Sequence, residues 1–219
     1  MSSDTSLRSG LSPLKKAYSI NKKAIDKRLR EFEHVWRRGE EAVFAELCFC
    51  ILTPQSKAIC CDRAVRRLSE KGLLFSGSRR AVRLALSAVR FPNNKTAYII
   101  AARRLFKKAG VISVRGRIDR HDVPKTREWL VRNVKGIGYK EASHFLRNIG
   151  LGRDLAILDV HILRNLVKHR VLRSRPNTIG RKMYLEIEGL MRKFAGKNGI
   201  PLDALDLVFW SIGTGYIFK

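Results

Sequence analysis

From residue 25 onward the apolar positions recur at steps of three and four, and alternation of the strand type is nearly absent. Ile25, Leu29, Phe32 and Trp36 mark one face of an amphipathic helix that carries Arg37 and Arg38 in its last turn and stops at Gly39. The run EAVFAELCFCILTPQ is apolar nearly all round, which predicts a helix at the centre of the core that ends before Pro54. SKAICCDRAVRRLSEKG follows, closed by Gly72. Phe91-Pro92 then divides the short SRRAVRLALSAVR from NNKTAYIIAARRLFKKAG, where an asparagine is expected as the N-cap. Residues 110–124 read as a connection closed by Pro124. KTREWLVRNV and KEASHFLRNIG read as two helices joined by the turn KGIGYK, and three more are expected at about 160–170, 178–196 and 202–212. The chain is thus expected to be all-α, with about a dozen helices and a loose lead-in over residues 1–20, where Ser, Gly10 and Pro13 collect.

Charge narrows the set of functions. Lys and Arg number 45 against 19 Asp and Glu, a net charge of +26 that implies a polyanionic partner, nucleic acid before anionic membrane. No apolar run approaches the ~20 residues of a membrane span, and the N-terminus lacks the apolar stretch of a secretory signal, so an intracellular protein without a membrane partner is expected. A length of 219 residues with 45% hydrophobic content supports one large domain or two small ones. Cys48, Cys50, Cys60 and Cys61 have the spacing of neither a zinc site nor an iron–sulfur loop, and Cys48 and Cys50 sit in the apolar run as small hydrophobes, so no metal is expected on them.

The turn Lys135–Lys140 lies between two helices and holds Gly136 and Gly138, the layout of a helix-hairpin-helix. Such glycines allow backbone dihedrals that a Cβ forbids and let another chain come close. Free N–H groups at the turn and at the start of the next helix can hold a phosphate without reading its base. Lys140 stands at the mouth of that helix, where a cation opposes the helix dipole. An amine in such a place, if also partly desolvated, has the lowered pKa that a nucleophile needs; the alternative is a solvated or phosphate-pairing lysine, and Lys135 competes for either role.

Asp159 follows the apolar LAIL and opens the helical VHILRNLVKH, so it reads as an N-cap whose carboxylate is held by backbone N–H groups. That role is compatible with a chemical one, because an oriented carboxylate can stabilise positive charge developing at a sugar C1′ or help move a proton. His161 reads as a packed or surface imidazole rather than a catalytic one.

Together, VKGIGYKEASHFLRN and LAILDVHIL resemble the helix-hairpin-helix superfamily of DNA glycosylases, whose bifunctional members carry a lysine where Lys140 stands. No cysteine follows Cys61, unlike the endonuclease-three-like branch with its iron–sulfur loop. ILTPQSKA, RFPNNKTAYI and DLVFWSIGTGYIFK are most similar to the compact 8-oxoguanine DNA glycosylase/AP lyases common in archaea, a resemblance that runs from about residue 25 to the end. It implies two helical domains with the active site in the cleft between them: a helical barrel over 42–153, with the helix-hairpin-helix at 126–149, and a domain made from 21–41 plus 154–219. It also implies a C-terminal lysine, by position Lys219, that helps recognise the base, and Trp210 at the base pocket.

The expected substrate is double-stranded DNA containing oxidised guanine, handled by a monomer in the cytoplasm or nucleoid of a prokaryote-like cell. Lys140 would attack C1′ of a flipped nucleotide and form a Schiff base, with β-elimination nicking the strand 3′ to the lesion. No cofactor is required for this chemistry, and the resemblance implies a monovalent cation on the hairpin carbonyls. 8-Oxoguanine differs from guanine by an N7–H donor, so a pocket acceptor would select it; a backbone carbonyl, Gln55 or the carboxylate of Lys219 each qualifies. The rival readings are the same fold acting on an oxidised pyrimidine, and a non-catalytic nucleic-acid-binding module.

Overall fold

A computed structural model describes residues 12–219 and is helical almost throughout. The described chain divides into two compact units, one of residues up to Phe32 with Gly152–Lys219, the other Glu33–Leu151. No helix among the described residues is long and apolar enough to cross a membrane.

Helix α1 spans Pro13–Arg37, which corrects the expectation of a loose lead-in up to residue 20; the part of that lead-in before residue 12 lies outside the described residues. Proline is at home in the first helical position, where its missing N–H has no partner to lose. Ser12 stands just before it, with Oγ accepting from the Lys15 N–H at 3.4 Å. Leu14, Ile25, Phe32 and Val35 are buried along one side, as their spacing requires.

In the larger unit, α2 (Glu40–Leu52) is the central element, buried without a break from Val43 to Leu52 except at Ala45. It packs against α3 (Ala58–Glu70), α5 (Pro92–Phe106) and α7 (Tyr139–Asn148), while α4 (Arg79–Ala85) lies on α3 and α5, and α6 (Val123–Asn133) on α7. The N-cap of α5 is Phe91 in the left-handed conformation (φ 55°), with Pro92 opening the helix, rather than an asparagine. That helix stops at Phe106, where the chain forms a two-stranded antiparallel ribbon of β1 (Lys107–Lys108) and β2 (Val111–Ile112). Ala109 and Gly110 both take positive φ, as a two-residue hairpin turn of the primed type demands. Glu40, at the start of α2, accepts from the backbone N–H groups of Val114 (2.7 Å) and Arg115 (3.1 Å) and fixes the segment that follows the ribbon.

The smaller unit holds α8 (Val160–Lys168), α9 (Arg181–Asn198) and α10 (Leu202–Thr214), with Leu205, Val208 and Phe209 wholly buried. His169 stacks on Phe209 and packs at a tilt against Phe194, both at 5.5 Å, and burial lowers its pKa. Two side chains of α9 hold the apolar run before α8: Glu188 accepts the Ala156 N–H at 2.9 Å, and the Tyr184 hydroxyl donates to the Ala156 carbonyl at 2.7 Å. Asp159 is thereby delivered to the mouth of α8 by an anchored strand of chain.

Candidate active site

Lys135, Gly136, Gly138 and Lys140 are brought together by one turn between α6 and α7. Arg127 stiffens the pair of helices, donating to Ser143 Oγ at 3.1 Å and lying over the Tyr139 ring, whose hydroxyl donates to Glu128 at 2.6 Å. The two glycines differ. Gly136 has φ +84°, and a Cβ there would stand 2.4 Å from Tyr98 Cδ2, so both conformation and packing exclude a side chain. Gly138 has φ −103°, open to any residue, and a Cβ would meet only Glu141 Oε2 at 3.4 Å. The expectation that both glycines serve the dihedral angles is therefore corrected for Gly138, whose bareness leaves space on the outside of the turn instead.

Gly138 is the N-cap of α7 and has no side chain with which to fill that helix end. Glu141 reaches back to accept its N–H at 3.2 Å and lies 3.2 Å from Lys140 Nζ through its other oxygen. The Lys140 side chain is 25% exposed, partly drawn from water yet reachable, while Lys135 is exposed at the turn's outer edge.

Gln55 sits in the short link between α2 and α3, exposed and at φ +55°, a conformation unusual for a residue with a Cβ. The link is held by a residue that sequence reasoning missed. Lys95 of α5 is 3% exposed, and its amine donates to Leu52 O (2.6 Å), Pro54 O (2.8 Å) and Ser56 Oγ (2.8 Å), so three acceptors of the link around Gln55 converge on one nitrogen. Burial lowers its pKa, with the nearby Arg90 and Lys140 charges acting in the same direction. A lysine after Pro92 in a helical stretch gives no sequence signal of this.

In the smaller unit Asp159 caps α8 as expected, Oδ1 accepting from the N–H groups of His161 and Ile162, both at 2.8 Å. Its Oδ2 accepts the indole N–H of Trp210 at 3.1 Å. A carboxylate has room for about four such bonds, so one position on Oδ2 is left with the side chain firmly aimed. The contact gives Trp210 a role the sequence did not indicate, since the two residues are far apart along the chain. His161 lies against the same indole at 5.6 Å between ring centres, the packed rather than the surface alternative. Trp210 continues into an aromatic row, with Tyr216 at 5.9 Å and Phe218 at 6.1 Å from Tyr216, which leads along the chain to the half-buried Lys219.

Three thiols of the larger unit are buried. Burial pushes Cys48 up to about 12 and Cys61 to about 11, and holds Cys50 well above its ordinary value, so none of them offers a thiolate.

The family described as 8-oxoguanine DNA glycosylase matches residues 25–200. An 8-oxoguanine DNA glycosylase/AP lyase of Fusobacterium nucleatum is 43% identical over 94% of this chain and 96% of its own length, and one of Korarchaeum cryptofilum 40% identical over 89% and 90%. Among solved structures, the 8-oxoguanine glycosylase/lyase of Methanocaldococcus jannaschii in complex with DNA containing 8-oxoguanine superposes with a TM-score of 0.83 at 36% identity, covering 95% of this chain and all of the other. The Thermotoga maritima 8-oxoguanine DNA glycosylase gives 0.81 at 32% identity, with 98% and 99% covered.

Proposed function

The chain belongs to the 8-oxoguanine DNA glycosylase family, and from that premise we propose that it removes 8-oxoguanine from duplex DNA and cuts the strand at the abasic sugar, with Lys140 as nucleophile and Asp159 as its charged partner. The observation that carries the assignment of Lys140 is its place: the second residue of a helix whose N-cap is a bare glycine, in a phosphate-binding type of turn, partly withdrawn from water.

The reaction proceeds in balanced steps. The lesion nucleotide leaves the stack, and the neutral Lys140 amine forms a bond to C1′ as the glycosidic bond breaks and the base departs with the electron pair. Positive charge spreads over C1′ and the ring oxygen at this point, and Asp159, aimed by its three N–H donors, stabilises it. Transfer of a proton from that nitrogen to the ring oxygen opens the sugar ring and gives the protonated Schiff base, while the departed base takes up a proton from water. Removal of a C2′ proton then expels the 3′ phosphate. Gln55, Trp210 and Lys219 are the candidates for reading the base, and the backbone of Gly136 and Gly138, with Lys135, for holding a phosphate. A monovalent cation on the hairpin carbonyls would assist that hold.

The test is borohydride trapping on duplexes that carry 8-oxoguanine, an oxidised pyrimidine or no lesion. A covalent adduct dominated by the 8-oxoguanine duplex is expected. A preference for the pyrimidine would overturn the substrate, and binding without any adduct would remove the lyase step and Lys140 as its nucleophile.

A further inference from the structure

The larger unit carries a second basic surface that the hairpin does not use. Trp36, at the end of α1, lies beneath two guanidinium groups, with Arg115 Cζ 5.3 Å and Arg120 Cζ 5.2 Å from the ring centre. Arg117 lies 5.7 Å over Trp129 of α6, which itself packs edge-on against Phe106 at 5.9 Å. Stacking on an indole holds a guanidinium plane in place while its N–H groups stay outward, and Arg presents phosphate with a fixed fork of donors. Beside Trp36 is a depression of about 310 Å³ bordered by Arg37, Arg120 and Gly150.

The acidic groups of this segment are occupied. Glu40 takes the Val114 and Arg115 N–H groups, Asp119 those of His121 and Asp122, and Asp122 caps α6 by accepting from Lys125. Glu40 also lies 4.0 Å from Arg115 Nε, and Glu33 borders the depression beside Arg37 and Arg120.

Both helices of the hairpin fix where this surface lies. α6 begins beside Arg120 and ends at the glycine turn, while α7 begins at that turn and ends at the Ile149–Gly150 rim of the depression. Helices of 11 and 10 residues place the two ends about 15 Å apart. The open N–H groups of α7 point along its axis away from the arginines, so a phosphate held at the turn lies beyond the opposite end of the hairpin from them.

We infer that Arg115, Arg117 and Arg120, stacked on Trp36 and Trp129, form a second binding face for the phosphate backbone of another DNA segment, apart from the one held at the hairpin. Two faces on one molecule allow transfer from segment to segment during search, without full release into solution. The inference rests on DNA being the substrate, but its test does not use catalysis.

The stoichiometry of a short undamaged duplex on the full chain, measured by sedimentation at low salt, is expected to reach two duplexes per protein. The triple variant Arg115→Gln, Arg117→Gln, Arg120→Gln should saturate at one. Its salt dependence of binding, log K against log salt, should flatten by about 2 to 3 for three lost phosphate contacts. Because Arg115 neighbours Glu40, the pair Arg117→Gln, Arg120→Gln serves if the triple variant melts early, with a flattening of about 2. A wild-type chain that saturates at one duplex, or variants that keep the wild-type stoichiometry and slope, would overturn the second face. Excision from a lesion duplex, measured in parallel, reports separately on the proposed function.

Discussion

Helix α7 begins on Gly138, which has no side chain to cap it, whereas helix α8 begins on Asp159, whose carboxylate takes two backbone N–H groups and an indole N–H besides. Both ends carry the same partial positive charge from their aligned peptides. What differs is who supplies the anion. At α8 the chain supplies its own, and the helix end becomes a mount for a carboxylate with one acceptor position to spare. At α7 the chain offers only Glu141, three residues in and shared with Lys140, so the turn can exchange that contact for an incoming phosphate. A helix N-terminus thus serves either as an orienting device or as a receptor, and the choice lies in one residue.

The comparison can be broken first at Lys140. Lys140→Gln should leave no borohydride adduct above background while duplex binding persists; an adduct that survives would move the nucleophile to Lys135. Asp159→Asn comes next. The amide oxygen can still accept from His161 and Ile162, but the amide nitrogen then faces the Trp210 N–H, so stability should fall by about 1 kcal/mol, while base release falls by about 10²- to 10³-fold for loss of the charge. Asp159→Ala should add about 1 kcal/mol of instability through the missing cap, read by denaturant unfolding.

The glycine pair sharpens the contrast at smaller scale. Gly136→Ala should destabilise the fold by about 1–3 kcal/mol, because a residue with a Cβ is forced to φ +84° and into Tyr98. Gly138→Ala should melt like the wild type yet bind DNA several-fold more weakly, at about 1 kcal/mol for an obstructed N–H. Equal melting losses in the two variants would erase the distinction drawn between them.

The smallest effect is one of pH. The thiols of Cys48 and Cys61, with folded pKa values of about 12 and 11 against 9.0, keep their protons after the unfolded chain has lost them. The folded state therefore binds more protons over that interval, and stability falls as pH rises above 9. Lys95 acts in the opposite sense, its lowered pKa making the unfolded chain the better proton binder. Removing one thiol separates the two: the alkaline fall measured by unfolding should be shallower in Cys48→Ala than in the wild type.

The hairpin and the Asp159 cap were legible because each is local, a run of residues whose types and spacing state the backbone they need. The all-α class followed from the same periodicity. What escaped was of two kinds. Pro13 and Ser12 were read as breakers, although the same residues open helices; Lys107-Lys108 passed for the basic end of α5 because a two-residue turn through Ala109 lacks the usual Asn or Asp. The other kind is long-range: the Trp210 bond to Asp159 and the grip of Lys95 on the link at Gln55 join residues far apart in the chain, and no period along a helix announces a partner.

The burial of the cysteines has a meaning beyond packing. An enzyme that removes oxidised guanine works where the oxidants that made the lesion are present, and peroxides attack thiolates rather than thiols. With Cys48, Cys50 and Cys61 sealed in the core and held protonated, the repair protein withholds its own sulfur from the chemistry whose damage it reverses, and leaves only the half-buried Cys60 within reach.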